Sequence, residues 1–298
     1  VHKEEFLRYL SVDKKYSSHT ISAYSRDIDD FVIFVVGESD HMDFLKVDRD
    51  VFRAWIAFMF ESGLSNRSIN RKLISLRSFY RYLLKEDYIN DNPLKQITPL
   101  KANKKIYPSF SISEMDSLWG REIFTDDFQG VRDSLILELL YFTGIRLSEL
   151  IELKIKDIDL MLSQIKVLGK GNKERIIPIC ENFKRVISKY ISLREGFLND
   201  SKSEMFFITD SKKKVYSTFV YKKVNLYLSQ VSSKEKRSPH MLRHTFATHL
   251  LDNGADINEI KELLGHSSLA STQHYIHQSI KKIKHSYNSA HPRAKKNR

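Results

Sequence analysis

Apolar residues recur at helical spacing from Glu4 to about Leu84, as at Tyr24, Ile28, Phe31, Val32, Phe34 and Val35, and no strand-like alternation runs for long. The period predicts four helices in this stretch. Side chains that accept hydrogen bonds from exposed helix N–H groups mark the starts: Ser17 or Ser18 for the second helix, Asp48 for the third and Ser65 for the fourth. Gly37 and Gly63 are the expected stops.

The fourth helix, about 66–86, sets an apolar stripe of Ile69, Leu73, Leu76, Tyr80 and Leu83 against Arg67, Arg71, Lys72, Arg77, Arg81 and Lys85. A basic helix face is often no more than a solvated one. Here, however, the first 100 residues hold 15 basic and 15 acidic side chains, so a neutral segment has gathered positive charge on one helix. An α-helix fits the major groove, and its arginines and lysines reach phosphates and guanine edges from there. Arg67, Arg71, Lys72, Arg77 and Arg81 are therefore the expected DNA-facing side chains.

At 298 residues the chain exceeds the usual size of one hydrophobic core, and two domains are expected. The stretch 96–110, QITPLKANKKIYPSF, has two prolines, several lysines and no amphipathic period, and reads as a linker between a domain over 1–95 and another over 111–298. In the second domain helical patterns open at Ser113 and over about 131–142. A meander of about three short strands covers 153–179, and helices resume near Glu181 and continue to the end. The expected fold is mainly α: a four-helix N-terminal domain and a larger helical domain with a small antiparallel sheet.

The net charge of +12 comes entirely from the part beyond residue 100, which fits a protein that meets a polyanion without separating DNA from RNA or a membrane surface. The single cysteine, Cys180, allows no intrachain disulfide and no cysteine zinc cluster, and suits a reducing compartment. No run approaches the roughly 18 apolar residues of a membrane span, and VHKEEFLRYL lacks the apolar centre of a signal peptide. A soluble, cytoplasmic protein with no membrane partner is expected.

The most informative segment runs from Ser238 to Tyr275. Ser238 and Pro239 open a helix, SPHMLRHTFATHLLDNG, that stops at Gly254 and carries His240 and Arg243 on one face of its first turn. Exposed N–H groups at such an end favour an anion, so the turn is a candidate phosphate site. Asp256 and Glu259 open a second helix ending at Gly265, and His266 follows on the turn. Tyr275 comes nine residues later, and locally it reads no differently from a core tyrosine. His240, His244 and His249 have helical spacing for a metal, but no carboxylate lies between the first two and no third ligand is evident, so no metal is expected. Upstream, YFTGIRLSEL places Arg146 after a glycine stop, with Glu149 three residues on to brace its guanidinium. GKGNKER, 169–175, suits a hairpin tip with Lys170 standing out from it.

Together these pieces resemble the tyrosine recombinases, most closely the Xer recombinases of chromosome dimer resolution. The likeness rests on TGIRLSEL, GKGNKER, HMLRHTFATHLL, LLGHSS and Tyr275 in that order, and on LRYL, KKYSSHTISAY and AHPRA outside them. It covers nearly the whole chain and fills every catalytic position. The resemblance implies a SAM-like, DNA core-binding N-terminal domain and a catalytic domain whose tail, from about 278, packs on a neighbouring protomer.

It also implies chemistry: Tyr275 attacks a DNA phosphate to give a 3′-phosphotyrosyl intermediate, Arg146 and Arg243 clamp the phosphate oxygens, and His266 adds a hydrogen bond. His240 is the candidate acceptor of the phenol proton, Lys170 the general acid for the leaving 5′ oxygen, and Glu149 an orienting group. No cofactor is implied. The implied partners are duplex DNA with a specific recombination site, a homotetramer or a heterotetramer with a related recombinase, and a DNA translocase as activator. The alternatives are the integrase of a mobile element, a type IB topoisomerase, and a non-catalytic DNA-binding protein on the same fold.

Overall fold

The computed structural model describes residues 2–38, 44–102, 107–120, 123–169, 174–199 and 201–264. Two compact units divide the chain, Val1–Ile106 and Tyr107–Arg298.

The first unit contains α1 (His2–Val12), α2 (Ser18–Glu38), α3 (Arg49–Glu61) and α4 (Asn66–Lys85). The caps act where the sequence puts them: Asp48 accepts from the N–H groups of Asp50 and Val51, and Ser65 from that of Ser68. Gly37 lies within the last turn of α2 instead of ending it. A group of aromatic rings sits in an otherwise aliphatic core. Phe31 stacks on Phe52 with ring centroids 4.6 Å apart, and Trp55 and Tyr80 meet them edge-on. Each such side chain contributes on the order of 2 kcal/mol on leaving water. Within this core Asp27 is buried and receives both arms of Arg71, at 2.7 and 2.8 Å, together with the Ser75 hydroxyl and the Lys72 ammonium.

The second unit is built around α6 (Phe128–Thr143), whose side chains are buried on nearly every face. A helix apolar all round belongs at the centre of a domain. It packs against α8 (Glu181–Leu198), α9 (Ser217–Ser229) and α10 (Pro239–Asp252), with α5 (Ile112–Gly120) preceding it. The charges it buries are paired: Arg132 meets Asp133 and Asp210 and lies over the rings of Phe128 and Phe219, while Asp133 also takes the Lys223 ammonium. After α7 (Leu147–Glu152) a 3₁₀ turn at Ile155–Asp157 leads into an antiparallel sheet ordered β1 (Ile158–Asp159), β2 (Gln164–Leu168) and β3 (Glu174–Pro178). Ile165 pairs with Ile177 and Val167 with Arg175.

Helices resume at Glu181 as expected, with a break after α8. Between α8 and α9 the described residues are non-helical, with bridges from Lys154 to Met205 and from Ile208 to Lys214. Arg194 holds this segment by donating to the carbonyls of Ser203, Met205 and Phe206. The last described helix is α11 (Ile257–Leu263), opened by Asp256 accepting from the Asn258 N–H at 2.7 Å. None of the helices among the described residues is long and apolar enough to cross a membrane.

Candidate active site

Helix α6 ends at Gly144, whose φ of 59° lies in the left-handed region. A Cβ there would come within 2.6 Å of the Phe246 ring and 2.7 Å of the Leu264 side chain, so glycine lets α10 and the end of α11 close on the end of α6. The carbonyls gathered by this approach are used directly. Buried Arg243 donates to the Gly144 carbonyl and, at 2.6 Å, to the Leu264 carbonyl.

Two residues past Gly144, Arg146 is the N-cap of α7 with extended backbone, φ −72° and ψ 148°. Its N–H donates to one oxygen of Glu149 at 2.9 Å and its guanidinium to the other at 2.8 Å. The brace inferred from the three-residue spacing is present. Glu149 also receives both arms of Arg175 from β3, each at 2.8 Å, and Arg175 Nε donates to the Leu263 carbonyl at 3.0 Å. Arg175 was not singled out in the sequence. The one signal for it was its place as the last residue of GKGNKER.

The Glu149 side chain is only 3% exposed, which by itself would raise its pKa. The hydrogen bonds from Arg175 and Arg146 and their positive charge prevail, and bring it down to about 2. Arg243 moves in the unusual direction. Burial first, then repulsion by Arg146 and Arg175, lowers its pKa to about 10, against the opposing pull of Glu149. Two guanidinium groups thus hold one carboxylate in a largely buried setting, and a third, that of Arg243, lies near enough to feel all three charges. Guanidinium groups so placed are suited to an anion with oxygens for planar forks to bind, as a phosphate has.

His240 lies on α10 three residues before Arg243 and is exposed. Partial desolvation, then Lys236, His244 and Arg243, lower its pKa, so the imidazole is neutral at pH 7 and able to accept a proton. His249, considered with His240 and His244 as a metal ligand, is buried. Its two ring nitrogens face the Tyr141 hydroxyl at 2.9 Å and the Phe110 carbonyl at 2.8 Å. Lys170, His266 and Tyr275 lie outside the described residues, as do the hairpin tip, residues 103–106 of the linker stretch and the tail from 278.

Along α4 the five basic residues expected to face DNA differ in their surroundings. Arg67 and Arg81 are exposed, and Arg71 is half-exposed while paired with Asp27. Lys72 is mostly covered and shared between Asp27 and Asp30, and Arg77 donates to the Ile97 carbonyl.

Residues 121–282 match the phage integrase family, and residues 4–87 match the phage integrase N-terminal SAM-like domain. The chain is 39% identical to tyrosine recombinase XerC of Pediococcus pentosaceus over 97% of each chain. It is 36% identical to tyrosine recombinase XerD of Staphylococcus haemolyticus over 98% of each. The crystal structure of XerH site-specific recombinase, bound to a palindromic difH substrate after cleavage, shares the fold with a TM-score of 0.71. Identity to it is 23%, over 96% of this chain and 84% of that one.

Proposed function

The chain belongs to the phage integrase family and is a tyrosine recombinase that cleaves and rejoins DNA, and from that premise we propose how its residues divide the reaction and which reaction it serves. Tyr275 is the nucleophile. Its phenolic oxygen attacks the scissile phosphorus, the bond from phosphorus to the 5′ oxygen breaks, and a 3′-phosphotyrosyl linkage remains on the enzyme. A free phenol, with a pKa of about 10, is scarcely ionised at pH 7, so its proton passes to neutral His240. Lys170 supplies a proton to the departing 5′ oxygen. Arg146 and Arg243 bear the charge that builds on the non-bridging oxygens, and His266 adds a hydrogen bond there. Glu149 orients Arg146. The phosphotyrosine keeps the energy of the diester, so a 5′ hydroxyl from a partner strand reverses the step without ATP.

The gathering of Arg146 and Arg175 on Glu149, with Arg243 close by, is the observation that carries this reading, because it sets permanently charged planar donors together where a phosphate can be bound. The division into a DNA core-binding domain over 1–95, a linker over 96–110 and a catalytic domain over 111–298 belongs to the same reading. So does DNA contact by Arg67, Arg71, Lys72, Arg77 and Arg81. Relatives named both XerC and XerD at similar identity support resolution of chromosome or plasmid dimers at a specific site in the cytoplasm. The working form is a tetramer, of this chain alone or with a related recombinase, subject to activation by a DNA translocase.

A nicked suicide duplex tests the chemistry, because loss of the short 5′-hydroxyl fragment traps the covalent complex. Wild type is expected to trap and Tyr275→Phe is not. Trapping by Tyr275→Phe, or none by wild type, overturns the assignment. Genome-wide mapping of bound DNA tests the role: one site near the replication terminus supports dimer resolution, and sites at element ends point to a mobile-element integrase instead.

A further inference from the structure

We propose that Arg175 is a positioning residue of the recombination site, holding Arg146 and the end of α11 in one geometry through Glu149 and the Leu263 carbonyl. The inference rests on the assignment of Arg146, Lys170 and His266 above. Arg175 is 13% exposed, and its Nη1, Nη2 and Nε are all engaged, the first two on Glu149 at 2.8 Å and the third on Leu263 at 3.0 Å. A guanidinium bound in all three directions is fixed in place and turned away from the role of a phosphate clamp.

The hydrogen bonds run to Arg146 through Glu149 and to the end of α11. Glu149 presents one oxygen to the Arg146 guanidinium and the other to the Arg146 N–H, so the group that fixes Glu149 fixes Arg146. Arg175 is five residues after Lys170 in the chain, and Leu263 is three residues before His266. The Leu263 and Leu264 carbonyls are among those a helix end leaves without intrahelical partners, and they are taken by Arg175 and Arg243. Stability alone does not account for this arrangement. A second cation beside Arg146 adds to the repulsion that lowers the pKa of Arg243, and a buried ion pair is often no more stable than apolar side chains of the same volume.

The test is single-turnover cleavage of the nicked duplex by wild type, Arg175→Ala and Arg175→Lys, with DNA affinity and the folded fraction measured alongside. Misplacing a reacting group by about 1 Å costs about 100-fold in rate. Arg175→Ala is expected to cleave about 100-fold more slowly while binding DNA like wild type. Arg175→Lys is expected to stay slow, because one ammonium cannot serve two carboxylate oxygens and a carbonyl. On DNA with a methylphosphonate at the scissile position, one non-bridging oxygen and its charge are gone, so the deficit of both variants shrinks. Cleavage within threefold of wild type by either variant overturns the proposal. So does a rate that falls only in step with DNA affinity or folded fraction, or a deficit equal on both substrates. If Arg175→Ala does not fold, Arg175→Lys decides by the same criteria. Failure of wild type to trap would refute the nucleophilic mechanism instead, which separates the two.

Discussion

Replacing Glu149 by glutamine removes the carboxylate charge that Arg146 and Arg175 share and leaves the shape nearly unchanged. The carboxylate accepts four hydrogen bonds of 2.8–2.9 Å, two from Arg146 and two from Arg175. A fall in its pKa from 4.5 to about 2 corresponds to about 3 kcal/mol of stabilisation, at about 1.4 kcal/mol per pH unit. Glutamine loses that and also turns an NH₂ toward donors, so Glu149→Gln should destabilise the second unit by about 3 kcal/mol at pH 7. The stabilisation is complete above pH 4.5, where the unfolded carboxyl is ionised, and declines as the pH drops toward 2, where the folded one protonates. At pH 3.5 the gap between wild type and variant should have narrowed by about 1.4 kcal/mol. Hydrogen exchange read by mass spectrometry on peptides covering α6 and α7 gives the opening free energy of this unit separately from the first. Equal stability at pH 7, or a gap that does not change with pH, would show that the charge of Glu149 does not hold the cluster.

As the proposed proton acceptor His240 works only when neutral, and its pKa is lowered from 6.5, so the rate against free enzyme should be level above pH 6.5 and fall below it, and His240→Asn should abolish that limb. A limb centred well above 6.5 would exclude His240 as the acceptor. Lys170→Ala should slow cleavage of ordinary DNA and recover on DNA with a 5′-bridging sulfur, a leaving group that needs no proton; no recovery would remove Lys170 from the general-acid role. Arg67→Ala and Arg81→Ala should each weaken duplex binding whatever its sequence and reduce the slope of log K against log salt by about 1. An unchanged slope by fluorescence anisotropy would take those side chains off the DNA.

The features legible in the sequence are those settled within a few residues. Asp48 and Ser65 cap helices because the cap and its target amides are neighbours, and Arg146 finds Glu149 because residues three apart share a helix face. The rest of the cluster depends on partners distant in the chain. Arg175 on β3 meets Glu149 on α7, and Arg243 reaches a carbonyl at the end of α6 and another after α11. No periodicity carries that information. Gly144 reads as a helix stop, but its second task, admitting Phe246 and Leu264, needs the tertiary approach to be seen. On α4 the basic stripe looks uniform in sequence, and only Asp27, contributed by another helix, distinguishes Arg71 from Arg67. The non-helical stretch around Phe206 and Ile208 escaped because a short apolar run has no period of its own.

The proposed attack by the Tyr275 phenolic oxygen is checked at that atom by tryptic digestion of the trapped enzyme–DNA complex followed by mass spectrometry. After nuclease trimming, the peptide 262–281, which contains Tyr275 as its single tyrosine, should carry the 3′-phosphonucleotide on that residue. An adduct on a different peptide, such as the one holding Tyr287, would contradict the account.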